Sequence, residues 1–146
     1  MKILSKPVEI LLVEDNDGDV GLIEEVLEEA KIRNILHVAK DGEEAMLFLH
    51  GEGKFSGSLR PDIILLDLNL PKKDGREVLK EVKEDSNLKS IQVVILTTSG
   101  AEKDIIRAYE LHANAYVTKP LDFDQFIKVV EYIANFWLDI VKLPTK

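Results

Sequence analysis

Four consecutive aliphatic residues, Ile63 to Leu66, run directly into a carboxylate, Asp67, and Pro71 stops the extended segment soon after. An unbroken apolar run of that length reads as a strand buried on both faces, the kind found in parallel sheets. Asp67 then sits at the carboxyl end of a central strand, where open α/β sheets place their ligand sites. Taken alone, an Asp in this position reads equally well as a loop cap. The other strand ends decide between the two.

The rest of the chain alternates strand-like and helix-like segments. Val8 to Val13 is a short aliphatic run followed by Glu14-Asp15-Asn16-Asp17. Residues 18 to 31 carry Val20, Ile23, Val26, Leu27 and Ala30 at helical spacing. Ile35 to Ala39 reads as a second strand, and Asp41-Gly42 opens a second helix through Ala45, Met46, Phe48 and Leu49. Gly51 to Leu59 reads as a loop before the central strand. Asp74 to Glu84 is helical, Gln92 to Thr98 a fourth strand, Glu102 to His112 a fourth helix and Ala115 to Thr118 a fifth strand. Residues 122 to 142 read as one long final helix. The pattern is (βα)₅, an α/β doubly wound parallel sheet in one domain spanning 1–146. Right-handed crossovers leave few topologies, of which the flavodoxin-like order 2-1-3-4-5 is the expected one.

A chain of 146 residues buries a core without staples, and it has no cysteine. Disulfides and thiolate chemistry are therefore excluded, and a cytoplasmic setting is the expectation. No apolar run approaches the roughly 20 residues that span a bilayer. A net charge of −8 argues against nucleic acid or anionic membranes as partners.

In the 2-1-3-4-5 order, strands one, three, four and five are neighbours. Glu14 and Asp15, Asp67, Thr97 and Lys119 then converge on one edge of the sheet. Carboxylate pairs about 4 Å apart repel by roughly 4 kcal/mol at an effective dielectric of about 20. One lysine is too little compensation for three carboxylates. A divalent cation with oxygen ligands is the natural remedy, and Mg²⁺ suits a site with few carboxylates and several waters. The competing reading has Glu14 and Asp15 merely favouring a helix N-terminus.

These residues resemble the receiver domains of two-component response regulators over essentially the whole chain. The acidic pair stands in "LLVEDN", the phosphoacceptor Asp67 in "DIILLDLNLPKKDG", the switch hydroxyl Thr97 in "VVILTTS" and Lys119 in "AYVTKP". The segments "LNLPKKDGREVL", "GEGKFSGSLRPD" and "FWLDIVKLP" further resemble the small stand-alone regulators that partner phytochrome-type sensor histidine kinases.

The resemblance implies that Asp67 accepts a phosphoryl group from such a kinase, a carboxylate acting as covalent nucleophile. It implies Mg²⁺ held by Asp15, Asp67 and the backbone carbonyl of Asn69, with Glu14 acting through water, and Lys119 paired with a phosphoryl oxygen. It gives Thr97 and Tyr116 switch roles, although spacing alone makes Tyr116 an ordinary half-buried strand aromatic. Asn69 and Ser99 flank the approach of the hydrolytic water and are expected to tune the lifetime of the acyl phosphate. Thr98 is bulkier than the small residue often found there and narrows that access. Pro120 is expected to follow a cis peptide bond.

The final helix is apolar around more than one face, and at 1.5 Å per residue its length of roughly 30 Å exceeds what a sheet of short strands covers. Trp137, Ile140 and Leu143 are therefore expected to meet a second chain, giving a homodimer through the face of the fourth helix, fifth strand and fifth helix together with the C-terminal helix. The alternative is a helix folded back over its own domain. His37, His50 and His112 lie in different elements and read as surface or half-buried residues. Two other functions fit less well. An aspartyl-phosphate phosphatase needs an acid at position 69, where Asn69 stands. A pseudo-receiver, an unphosphorylated binding module, should lack Asp67, Thr97 or Lys119, and all three are present. Beyond the last helix only Pro144-Thr145-Lys146 remain. The expectation is a stand-alone regulator that acts by binding and is not a conventional enzyme.

Overall fold

The aliphatic runs pair as a five-stranded sheet in the order β2-β1-β3-β4-β5, with every pairing parallel. The chain is described by a computed structural model covering residues 6–53, 57, 60–140 and 142–144. The strands are β1 (Val8–Val13), β2 (Asn34–Ala39), β3 (Ile63–Leu66), β4 (Gln92–Thr97) and β5 (Ala115–Thr118); the helices are α1 (Asp17–Glu28), α2 (Gly42–His50), α3 (Gly75–Glu84), α4 (Glu102–Glu110) and α5 (Phe123–Ile133). Part of the expected loop at 51–59 lies outside the described residues.

Period-2 alternation divides the buried aliphatics between two cores. Leu11, Val13, Ile64, Leu66, Val93 and Ile95 face one side, with Val78, Leu79 and Val82 of α3 and Ala45, Met46 and Phe48 of α2. Ile10, Leu12, Ile63, Leu65, Val94 and Leu96 face the other, with Ile23 and Leu27 of α1 and Phe126, Val130 and Ile133 of α5. This two-sided burial explains why the central strands read as unbroken apolar runs.

Four helices start on a side-chain cap: Asn16 accepts from the Asp19 amide, Asp41 from Glu44, Asp74 from Arg76 and Asp122 from Gln125. Helix α4 has Ala101 at its N-cap position and so no side-chain cap, and Ala108 is its one buried residue. It also ends before the expected His112, whose φ of 72° takes it out of helical conformation.

Two further expectations are corrected. No described peptide bond is cis, so the Lys119–Pro120 bond is trans; the isomers of an X–Pro bond differ by only about 0.5–1 kcal/mol. The final helix is not one continuous α-helix. It is α-helical to Ile133 and π-helical over Ala134–Ile140. The wider i→i+5 turn accompanies the packing of Trp137 and Leu138 against the Ile10, Leu12 and Leu27 core. Trp137 is thus half-buried against its own domain. Leu143 is also half-buried, and the side chains of Ile140 and Val141 lie outside the described residues.

Two glycines let backbone segments close around the end of β3. A Cβ on Gly75 would stand 2.2 Å from the Asp67 carbonyl oxygen, and one on Gly42 would stand 2.0 Å from that of Lys73. Gly75→Ala is therefore expected to destabilise the fold by about 1–3 kcal/mol through overpacking. Gly21→Ala, in α1 with nothing within 4 Å, is expected to stabilise by roughly 0.5–1 kcal/mol. Urea denaturation of the two variants beside the wild type checks both signs.

Candidate functional site

The parallel register brings the carboxyl ends of β1, β3, β4 and β5 side by side, because Val13 pairs with Leu66, Leu66 with Ile95 and Thr97 with Thr118. The residues just beyond those ends build the site. Glu14, Asp67 and Lys119 are buried, and Asp15 is exposed at the rim. Carboxylate oxygens of Glu14, Asp15 and Asp67 all lie within 4.8 Å of one another, as the sequence reading required.

Lys119 crosses the sheet edge to meet this cluster. Its ammonium is bonded to Glu14 Oε1, lies 2.9 Å from Asp19 Oδ2 and reaches Asp67 Oδ2 at 3.4 Å. An ammonium has three N–H donors, and here each faces a carboxylate. Burial alone would lower its pKa, but the bonds to Glu14 and Asp19 outweigh burial and hold it above the usual lysine range. Loss of water has the opposite outcome at Glu14: burial is the largest influence, only partly offset by Lys119, and the carboxyl is pushed up to about 7.

Asp19 was not among the expected site residues. It is the third residue of α1, its amide bonded to the capping Asn16, so Asn16-x-x-Asp19 reads in sequence as a helix start. The same cap aims its carboxylate at Lys119. Asp67 itself accepts from the Asn69 amide at 3.2 Å, while the Asn69 side chain is exposed.

Thr97 is fully buried at the end of β4, and its hydroxyl is the buried side-chain polar atom without a hydrogen-bond partner among the described residues. Such orphans cost about 1–3 kcal/mol and call for an explanation. Thr98 is exposed beside it. Ser99 turns toward α4: its hydroxyl donates to Asp104 Oδ2 at 2.5 Å. Tyr116, half-buried on β5, donates to the Ser99 carbonyl at 2.8 Å. Arg76 completes this network, 3.0 Å from Asp104 and 3.1 Å from Asp74. The histidines stand apart from the carboxylate cluster; His37 pairs with Glu9 at 2.7 Å.

The donor set fits a divalent cation. Three carboxylates in close approach, one of them at the rim, suit a hard ion that takes oxygen ligands and keeps water.

Residues 10–131 match the family model of the response regulator receiver domain. Response regulator Rcp1 of Synechocystis sp. is 51% identical over 138 residues, 94% of this chain and 94% of that protein. Among solved structures, the Mn(2+)-bound form of response regulator Rcp1 matches with a TM-score of 0.93 at 51% identity, covering 95% of this chain and 100% of that one. The phosphorylated cyanobacterial phytochrome response regulator RcpA matches with a TM-score of 0.93 at 48% identity, covering 96% of this chain and 100% of the other.

The raised Glu14 pKa has a consequence for stability without metal. The folded state keeps the Glu14 proton up to about pH 7, whereas the unfolded state releases it near the ordinary 4.5. Between those values the folded state binds more protons, so this group's contribution falls as pH rises. Lys119 stays protonated throughout and adds no slope. Urea melts of the metal-free protein at pH 5 and pH 7.5 should show this decline, and Glu14→Gln should flatten it. Equal slopes in the two proteins would refute the assignment.

Proposed function

The chain belongs to the response regulator receiver domain family, and from that premise we propose that it is a stand-alone regulator that accepts a phosphoryl group on Asp67 from a sensor histidine kinase. The observation that carries the reading is the unpartnered, buried Thr97 hydroxyl on the strand beside that of Asp67. A hydroxyl held without a partner next to a nucleophilic carboxylate is suited to meet a group that arrives later. In the reaction, an Asp67 carboxylate oxygen attacks phosphorus, the O–P bond forms and the P–N bond of the kinase phosphohistidine breaks. The imidazole nitrogen leaves with the electron pair. Glu14 through water, Asp15, Asp67 and the Asn69 carbonyl would hold Mg²⁺, whose charge offsets that of the phosphoryl oxygens.

Lys119 supplies the second positive charge. Its third N–H, now directed at Asp67, turns to a phosphoryl oxygen while Glu14 and Asp19 keep the other two. Thr97 then donates to the phosphoryl group, and Tyr116 moves as the end of β4 shifts. Asn69 and Ser99 tune the lifetime of the acyl phosphate, which ends when water attacks phosphorus and restores the Asp67 carboxylate. The output is a conformational change, set by the doubly charged phosphoryl group that replaces the singly charged Asp67 carboxylate. A sensor of the phytochrome type is the proposed phosphodonor, following the regulators named above.

Exposed Ile106 and Tyr109 on α4 and Tyr132 and Phe136 on and beyond α5 support a homodimer through the α4–β5–α5 face and the C-terminal segment. Intact mass with Mg²⁺ and acetyl phosphate is expected to show one added phosphoryl group on the wild type. Asp67→Asn and the chelated sample should show none. No gain on the wild type, or a gain on Asp67→Asn, would contradict the proposal. Sedimentation of the same samples should give a dimer, and a monomer with and without phosphoryl would remove that part.

A further inference from the structure

One acid at the site does not belong to the group that suits a cation. Glu14, Asp15 and Asp67 form the set whose oxygens lie within 4.8 Å of one another. Asp19 stands outside it and directs its half-buried carboxylate at Lys119 Nζ, 2.9 Å from Oδ2. Helix α1 does not require that side chain. The Asn16 cap bonds the backbone amide of residue 19 and leaves the carboxylate untouched. An acid in the first turn favours the helix dipole, but Asp17 already supplies one there, and it pairs with Lys40 away from the lysine of the site.

Lysine carries a compact charge on a flexible four-carbon stem with three rotatable donors. Its position among several carboxylates is therefore set by which of them grip it. Lys119 is bonded to Glu14, lies 2.9 Å from Asp19 and stops 3.4 Å from Asp67. Charge-assisted N–H···O bonds close to about 2.7–2.9 Å where nothing restrains them, so the contact with Asp67 is held open by roughly half an ångström. Glu14 alone cannot hold it there. A single partner leaves the ammonium free to swing on its stem, whereas two partners fix the direction of the third donor.

That gap matters to a nucleophile. An ammonium closed tightly on Asp67 Oδ2 would draw charge from the carboxylate that must attack phosphorus. It would also have to withdraw before its N–H could serve a phosphoryl oxygen. We infer that Asp19 is a positioning residue that holds Lys119 off the Asp67 nucleophile, with one N–H ready for the incoming phosphoryl group. This rests on the receiver reading above and adds to it the residue that sets where the lysine stands. Asp19 touches neither the phosphoryl group nor the cation, and it acts only through Lys119.

The test combines the rate of phosphorylation by acetyl phosphate in saturating Mg²⁺, followed by intact mass, with a crystal structure of metal-free Asp19→Asn. Asp19→Asn keeps the side-chain shape and loses the charge, and Asp19→Ala removes the contact; both keep the amide that Asn16 caps. The rate is expected to fall roughly threefold in the first and roughly tenfold in the second. In the Asp19→Asn crystal, Lys119 Nζ should close on Asp67 Oδ2 from 3.4 Å to about 2.8 Å. Asp17→Asn removes an acid from the same turn and should match wild type. Wild-type or faster rates in both Asp19 variants, or slower ones with the separation unchanged, would overturn the positioning role and leave the receiver reading standing. An equal fall in Asp17→Asn, or loss of the folded state in both Asp19 variants by circular dichroism, would overturn it too. A wild type that takes up no phosphoryl group would overturn both.

Discussion

The ammonium of Lys119 is the interaction on which the rest of the site depends. Three carboxylates from two loops and a helix end within reach of it, on the water-poor edge of a parallel sheet. Without it, Glu14 and Asp67 would be buried acids supported only by the backbone amides of Asn16 and Asn69, and an uncompensated buried charge costs several kcal/mol in a protein interior. The topology creates this problem and also solves it. Parallel strands all end on one edge, so β1 and β3 deliver the acids while β5 delivers the lysine. Lys119 leaves the cluster short of positive charge, and that deficit is what gives the site its appetite for a cation.

Packing around the end of β3 has a related logic. Gly75 and Gly42 allow backbone to approach where a methyl group would collide, so the loop after Asp67 folds down tightly over its own carbonyl. Rigid support on that side contrasts with the loose attachment of α4 on the other. Thr97 sits between the two, its hydroxyl buried and unpaired. The stabilisation forgone there is recoverable by an acceptor that arrives beside it, as a phosphoryl oxygen on Asp67 would. A rigid acceptor, an unsatisfied donor and a weakly packed helix together make an arrangement that one small modification can change.

Much of this was legible in the sequence. The aliphatic runs gave all five strands and their order, and Glu14, Asp15, Asp67, Thr97 and Lys119 each stood at a strand end. What escaped has a physical reason in each case. Asp19 performs a local capping role and a long-range one with the same residue, and only the first leaves a sequence pattern. Arg76 and Asp104 lie on separate helices, so nothing in their spacing announces a pair. The change from α- to π-helix at Ala134 accompanies packing of Trp137 and Leu138 against the core, and periodicity averaged over a long apolar helix hides it. The trans bond before Pro120 departs from family expectation by a small energy difference that composition does not encode.

A crystal structure of the protein with Mg²⁺ and beryllofluoride tests the central claim most directly. The account predicts Thr97 Oγ1 and Lys119 Nζ each within hydrogen-bond distance of a different fluorine on Asp67, with Lys119 still bonded to Glu14. A fluoride group that neither residue touches, with the Thr97 hydroxyl still unpaired, would contradict it.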